Sequence, residues 1–266
     1  MEYTDKWQSA LAALASKDKA AILQRFFKTG PGEYGEGDVF AGIAVPDCRK
    51  ISKQMIDAPM EAIEEMLSSP IHEYRLSGLL VIVERYKRAK RPAEMEMLVD
   101  FYLAHTNAIN NWDLVDVTCP HIIGAEAYRT DNPEVLIKLS QSENLWEQRI
   151  GIVANWYLIR KGVFEPALEI IEELLYHKHD LIRKANGWML REIGKRDIAT
   201  LELFLDKYAA TMPRITLSYA TEKFDLPTRR HYQSLAKKCP GRNLKCIFAC
   251  GRSMERPYRE GDNCKE

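Results

Sequence analysis

Apolar residues recur along this chain at the three- and four-residue spacing of helices, and no stretch shows the strict alternation of a half-buried strand. Trp7, Leu11 and Leu14 open the pattern, and Leu23, Phe26 and Phe27 close that first helical region. The segment KTGPGEYGEGD, residues 28–38, then carries four Gly and one Pro, too many for a helix to continue, and reads as a loop. Beyond it the spacing predicts helices over 46–57, 59–68, 71–90, 92–105, 110–118, 120–130, 132–141, 145–161, 164–177, 179–195, 197–210, 212–222 and 227–238.

The helical segments are related to one another. EYRLSGLLVIVERYK (73–87), EQRIGIVANWYLIRK (147–161) and LIRKANGWMLREIGK (181–195) each place an Arg early, follow it with small residues and continue apolar. Arg75 and Arg149 are 74 positions apart, two steps of 37, and Arg183 follows 34 later. INNWDLVDVTCPHI begins about one step after Arg75. A helix-pair period in the high thirties is near that of HEAT-type repeats, whose pairs stack into a curved solenoid with a concave face. The expected fold is therefore an all-α, HEAT-like helical-repeat solenoid of about six helix pairs over residues 1–238. An irregular α-bundle is the alternative. Residues 239–266 form a separate Cys-containing basic tail of unassigned role.

Composition narrows the function. Hydrophobic residues make up 46 % and charged residues 29 % of the 266 positions, enough apolar material for a continuous core. Lys plus Arg and Asp plus Glu both number 38, so any polyanion must be met by local segregation of charge. The basic runs are 84–91 and 178–196, and acidic residues collect in 61–66 and 165–173. No basic leader and no span of about 18 uncharged apolar residues appears, so the expected compartment is the cytoplasm and no membrane partner is expected. Cys239, Cys246, Cys250 and Cys264 lack paired C-x2-C spacing, so neither a zinc site nor a disulfide framework is expected, and no nucleotide-binding glycine motif occurs.

Repeat spacing groups the residues suited to chemistry. Trp112, Arg149 and Trp188 lie 37 and 39 residues apart, close to one step each, and so should line one surface. Asp116 is one helical turn from Trp112, and Arg191 is one turn from Trp188. Arg offers bidentate contacts to phosphate, and Trp offers a π face to sugars, bases and cations. A carboxylate among such groups would repel phosphate, unless it serves to stabilise positive charge that develops on a sugar during N-glycosidic cleavage. Taken singly, each has a plainer reading: a core Trp, an inter-repeat ion-pairing Arg, a capping Asp.

FAGIAVPDCRKISK (40–53), NNWDLVD (110–116), EQRIGIV (147–153) and KANGWMLREIGK (184–195) resemble the AlkD-like DNA alkylation repair glycosylases, over roughly residues 5–238. That resemblance implies a monofunctional DNA glycosylase of base excision repair. It would release positively charged alkylpurines such as N3-methyladenine and N7-methylguanine from duplex DNA bound in the concave face. It implies that Asp116 is the catalytic carboxylate, that Trp112 and Trp188 hold the lesion backbone, and that Arg149 is a phosphate and site ligand. Arg191 joins them as a DNA-binding residue by its place beside Trp188. No cofactor or metal is expected, and the protein is expected to act as a monomer. The family's aromatic residues before the GWMLRE helix have no counterpart in HKHDLIRKA (177–185), and Tyr34 matches an early aromatic only loosely. Two other readings remain: a non-catalytic relative that binds distorted or branched DNA, and a protein–protein scaffold.

Overall fold

A computed structural model describes residues 2–235; the cysteine-containing tail lies outside the described residues. Sixteen α-helices follow one another among the described residues, and the strand-like contact seen there is an isolated bridge between Val39 and Ile71. The fold is an all-α helical repeat. No described helix is long and apolar enough to cross a membrane.

A central series of helices carries the structure: α3 (Val45–Gln54), α5 (His72–Arg88), α7 (Trp112–Thr118), α10 (Leu145–Val153), α13 (Asp180–Gly194) and α15 (Arg214–Ala220). Each packs on the next in chain order. Flanking helices cover them: α4 (Met60–Leu67), α6 (Pro92–Ala104), α9 (Glu134–Ser140), α12 (Glu165–Glu173) and α14 (Ile198–Tyr208), while α8 (Ile123–Thr130) packs on α6 and α9. α5 is enclosed almost all round, with Leu76, Leu79, Leu80, Val81, Ile82 and Val83 all buried, as expected of an inner helix packed from several sides.

The small residues after each Arg let helix backbones approach closely. A Cβ on Gly151 would sit 2.6 Å from the Ser140 nitrogen of α9, and one on Gly187 would sit 2.5 Å from the Thr216 oxygen of α15. Two of the three repeated Arg share a task, while Arg183 donates to the His177 carbonyl just before its own helix. Arg75 donates to the Ala108 carbonyl, and Arg149 donates to the Leu181 carbonyl, each tying its repeat to the one that follows.

Two segments expected to be continuous helices are broken and a third opens differently, each for a local reason. The first region splits into α1 (Glu2–Ala12) and α2 (Lys17–Phe26), because the Ser16 hydroxyl caps Lys19 and the Ser16 amide donates to the Ala41 carbonyl. Leu14 falls in this break and is exposed. The 120–130 segment begins as a 3-10 turn, Cys119–His121, since Pro120 has no N–H to continue the ladder of α7. The 145–161 segment breaks at Ala154 into α10 and α11 (Asn155–Arg160). There the Asn155 side-chain amide donates to the Gly151 carbonyl at 2.8 Å and competes with the helix.

Candidate functional site

An open cleft of about 900 Å³ lies across α7, α10 and α13, with Lys28 and Tyr34 of the 28–38 loop on one side. All five residues singled out from the sequence line it: Trp112, Asp116, Arg149, Trp188 and Arg191. They arrive on three successive central helices, as the repeat spacing requires. Their positions within those helices differ, however. Trp112 is the first residue of α7, whereas Trp188 lies in the second half of α13.

Asp116 is the half-buried floor of the cleft. Arg149 grips it with both ends of its guanidinium, Nε to Oδ1 at 2.9 Å and Nη2 to Oδ2 at 2.7 Å. Nη1 of Arg149 donates to the Leu181 carbonyl at 2.6 Å. Three of the five guanidinium N–H donors are therefore committed to protein, and the side chain is 6 % exposed. Two N–H groups are left for a ligand, so Arg149 first of all orients a carboxylate. Burial raises the Asp116 carboxyl pKa above the usual aspartate value, the Arg149 guanidinium pulls against that rise, and the Asp113 charge adds to it. The outcome is a carboxylate that is costly to leave unpaired, in a site where its field is poorly screened.

Aromatic packing sets the walls. Trp112 stacks on Phe27, with ring centroids 4.9 Å apart, and Phe26 meets it edge-on at 5.9 Å. The indole N–H of Trp112 donates to the Tyr34 hydroxyl at 3.3 Å. Across the cleft the Trp188 indole N–H donates to Glu192 at 3.2 Å. Arg191 is held by Glu222, so part of its charge is already met. Lys28, Lys178 and Lys184 complete a basic rim.

His179, in the HKHDLIRKA segment that lacks the family's aromatics, also lines the cleft. Its Nδ1 accepts the Leu181 amide at 3.1 Å and so caps α13, which puts the ring proton on Nε2. Burial, with help from His177, lowers its pKa, so the ring is neutral at neutral pH.

Sequence reasoning missed Phe26 and Lys28 as parts of the site and matched Tyr34 only loosely. Phe26, Lys28 and Tyr34 come to the cleft because Asp38, at the loop's end, is fixed in the interior. The His72 imidazole donates to Asp38 and to Asp113, both at 2.9 Å, while Arg75 and Asn111 also donate to Asp38. Burial works against a charged His72, yet the two carboxylates prevail and raise its pKa to about 9. Asp113 is thereby held on the core side of α7, which turns Trp112 and Asp116 toward the cleft. A signal was present: His72 and Arg75 are polar residues in the first turn of a helix that continues into the apolar run Leu79–Val83. Among the described residues no three His, Cys, Asp or Glu side chains converge as a metal-binding set.

A family model described as DNA alkylation repair enzyme matches residues 7–224. No curated protein matches the chain. Among solved structures the chain is similar to a predicted DNA alkylation repair enzyme from Enterococcus faecalis, with 18 % identity and a TM-score of 0.63 over 80 % of this chain and 97 % of that one. It is also similar to smu.31 from Streptococcus mutans UA159, with 15 % identity and a TM-score of 0.49 over 84 % of this chain and 100 % of that one. At 18 % identity the likeness to the Enterococcus faecalis structure bears on the fold alone.

Proposed function

The chain belongs to the DNA alkylation repair enzyme family, and on that premise we propose that it is a monofunctional DNA glycosylase releasing cationic alkylpurines, such as N3-methyladenine and N7-methylguanine, from duplex DNA. The observation that carries this reading is Asp116: a poorly solvated carboxylate, gripped by Arg149 and set between Trp112 and Trp188 in a cleft with a basic rim. Lysines and arginines suit the phosphates of the strand. A carboxylate there is unfavourable for binding a polyanion, and makes sense if it meets a cation formed during reaction.

An alkylated purine that already carries positive charge leaves as a neutral base, with both electrons of the N-glycosidic bond. The sugar is left as an oxocarbenium-like cation. Asp116, ionised and oriented by Arg149, faces that charge and accepts a proton from the incoming water. Trp112 and Trp188 flank the sugar–phosphate backbone and limit the water that would screen the carboxylate. The base needs no protonation. Three lysines stand at the rim, so a lysine Schiff base is the chemical alternative, and borohydride distinguishes the two. Incubation with methylated duplex should release free methylpurines, and borohydride should trap no protein–DNA adduct. A trapped adduct would overturn the monofunctional mechanism, and no base release from methylated DNA would overturn the glycosylase reading. In a cell this activity would belong to base excision repair, wherever the chain meets duplex DNA, and the chain would act as a monomer.

A further inference from the structure

A second group of cations and an aromatic ring lies further along the same two helix runs, outside the cleft. His121 ends the 3-10 turn that follows α7, five residues beyond Asp116, and Trp156 and Arg160 lie in α11, beyond Arg149. The two pairs are successive: Asp116 meets Arg149, then the half-buried His121 ring meets Trp156 edge-on, with centroids 5.9 Å apart. The Arg160 guanidinium lies over the Trp156 ring, 4.7 Å from its centroid. Arg49 of α3 and Lys87 of α5 are near enough for their charges to act on the same imidazole.

We propose that His121, Trp156, Arg160, Lys87 and Arg49 form a second phosphodiester-binding subsite, which holds the DNA duplex away from the reacting nucleotide; this rests on the DNA-binding reading above. The arrangement gathers like charges from three helices around one ring. Burial and then Lys87, Arg49 and Arg160 push the His121 pKa down to about 4, with Glu84 acting against them. Glu84 lies 3.5 Å from Lys87 and answers one of the three cations. Among the described residues Arg49 and Arg160 have no carboxylate at ion-pair distance, in a chain of zero formal net charge. Gathering them works against folding, and a bound phosphate would relieve it. Trp156 adds direction: a guanidinium laid on an indole face is pre-oriented for the planar, two-pronged contact that phosphate offers. Arg160 is eleven residues beyond Arg149 and lies in α11, past the break at Ala154 and outside the cleft. The subsite would therefore touch phosphates well removed from the lesion.

Titration of a labelled, undamaged duplex against salt tests this. In the double variant Lys87→Ala, Arg160→Ala both changes fall on exposed side chains. Affinity should fall about tenfold or more at 0.1 M salt, and the slope of log K against log salt should become shallower by about one for each phosphate that is no longer bound. Release of N7-methylguanine at saturating protein should be unchanged. Lys138→Ala is the control, an exposed lysine paired with Glu134 on α9. Wild-type affinity and slope in the double variant, or an equal loss in Lys138→Ala, would overturn the subsite. Because undamaged DNA is the probe, the result stands apart from base release: a wild-type protein inactive on methylated DNA would refute the glycosylase reading and leave this titration to decide the subsite.

Discussion

Replacing Asp116 with Asn tests the proposed chemistry at its centre. The amide keeps the size of the side chain and one carbonyl to accept from Arg149, but it removes the charge and one of the two guanidinium hydrogen bonds at 2.7 and 2.9 Å. Arg149 is then left nearly buried and without its counter-ion. Deleting a partner of a fully buried pair costs about 3–5 kcal/mol. Asp116 retains 15 % of its side-chain exposure and Asn still accepts a hydrogen bond, so a loss of about 2 kcal/mol is expected. For a domain of this length that lowers the Tm by roughly 4–8 °C. The effect on rate should be larger and separate. Losing a preorganised charge that faces a developing cation costs about 3 kcal/mol, roughly 100-fold. Single-turnover release of N7-methylguanine, with protein in excess and well below the Tm of the variant, isolates this from any loss of folded material. Affinity for undamaged duplex should hold or rise, since an anion near phosphate is gone. A folded Asp116→Asn protein with near wild-type release would refute the reasoning and leave Asp116 as a structural partner of Arg149.

Other measurements bear on the same architecture. In wild type the rate should fall as pH drops through the raised Asp116 pKa, so the acid limb should lie above the range of an ordinary aspartate; Arg149→Gln removes the group that holds that pKa down and should move the limb further up, whereas a purely structural Arg149 would lower the amplitude without moving it. The His72 pKa is raised on folding, so its contribution to stability is complete below about 6.5 and is lost as pH rises through about 9; His72→Gln should lower the Tm at pH 6 and flatten part of the decline between pH 7 and 9.5, and an unchanged decline would remove His72 as its source. Gly187→Ala drives a methyl to within 2.6 Å of the Tyr219 Cβ and closer still to the Thr216 carbonyl, so chemical denaturation should show a loss of about 1–3 kcal/mol, with base release reduced as α13 carries Trp188 outward; wild-type stability would refute the close packing of α13 on α15.

Much of this protein was legible in the chain itself, because helical periodicity and repeat spacing are local signals. The spacing of Arg75, Arg149 and Arg183 announced stacked helices, and the steps between Trp112, Arg149 and Trp188 put those three side chains on one surface, where the cleft lies. The pattern did not register the breaks at Ser16 and Asn155, or that the segment from residue 120 opens as a 3-10 turn, since each turns on one side chain rather than on periodicity. Partner choice was decided only by the tertiary structure. That Arg149 closes on Asp116, 33 residues away, depends on the register between α7 and α10, which no hydrophobic pattern encodes. The loop of residues 28–38 read as a break with no destination. Its anchor, Asp38, is fixed by His72, Arg75 and Asn111, residues brought together by the packing of α5 on α7, and that anchor is what carries Lys28 and Tyr34 over Trp112. Periodicity settles which side chains face the interior. Hydrogen bonds and ion pairs between residues far apart in sequence settle which of them meet, because their energy depends on distances of a few tenths of an ångström that exist only once the helices are stacked.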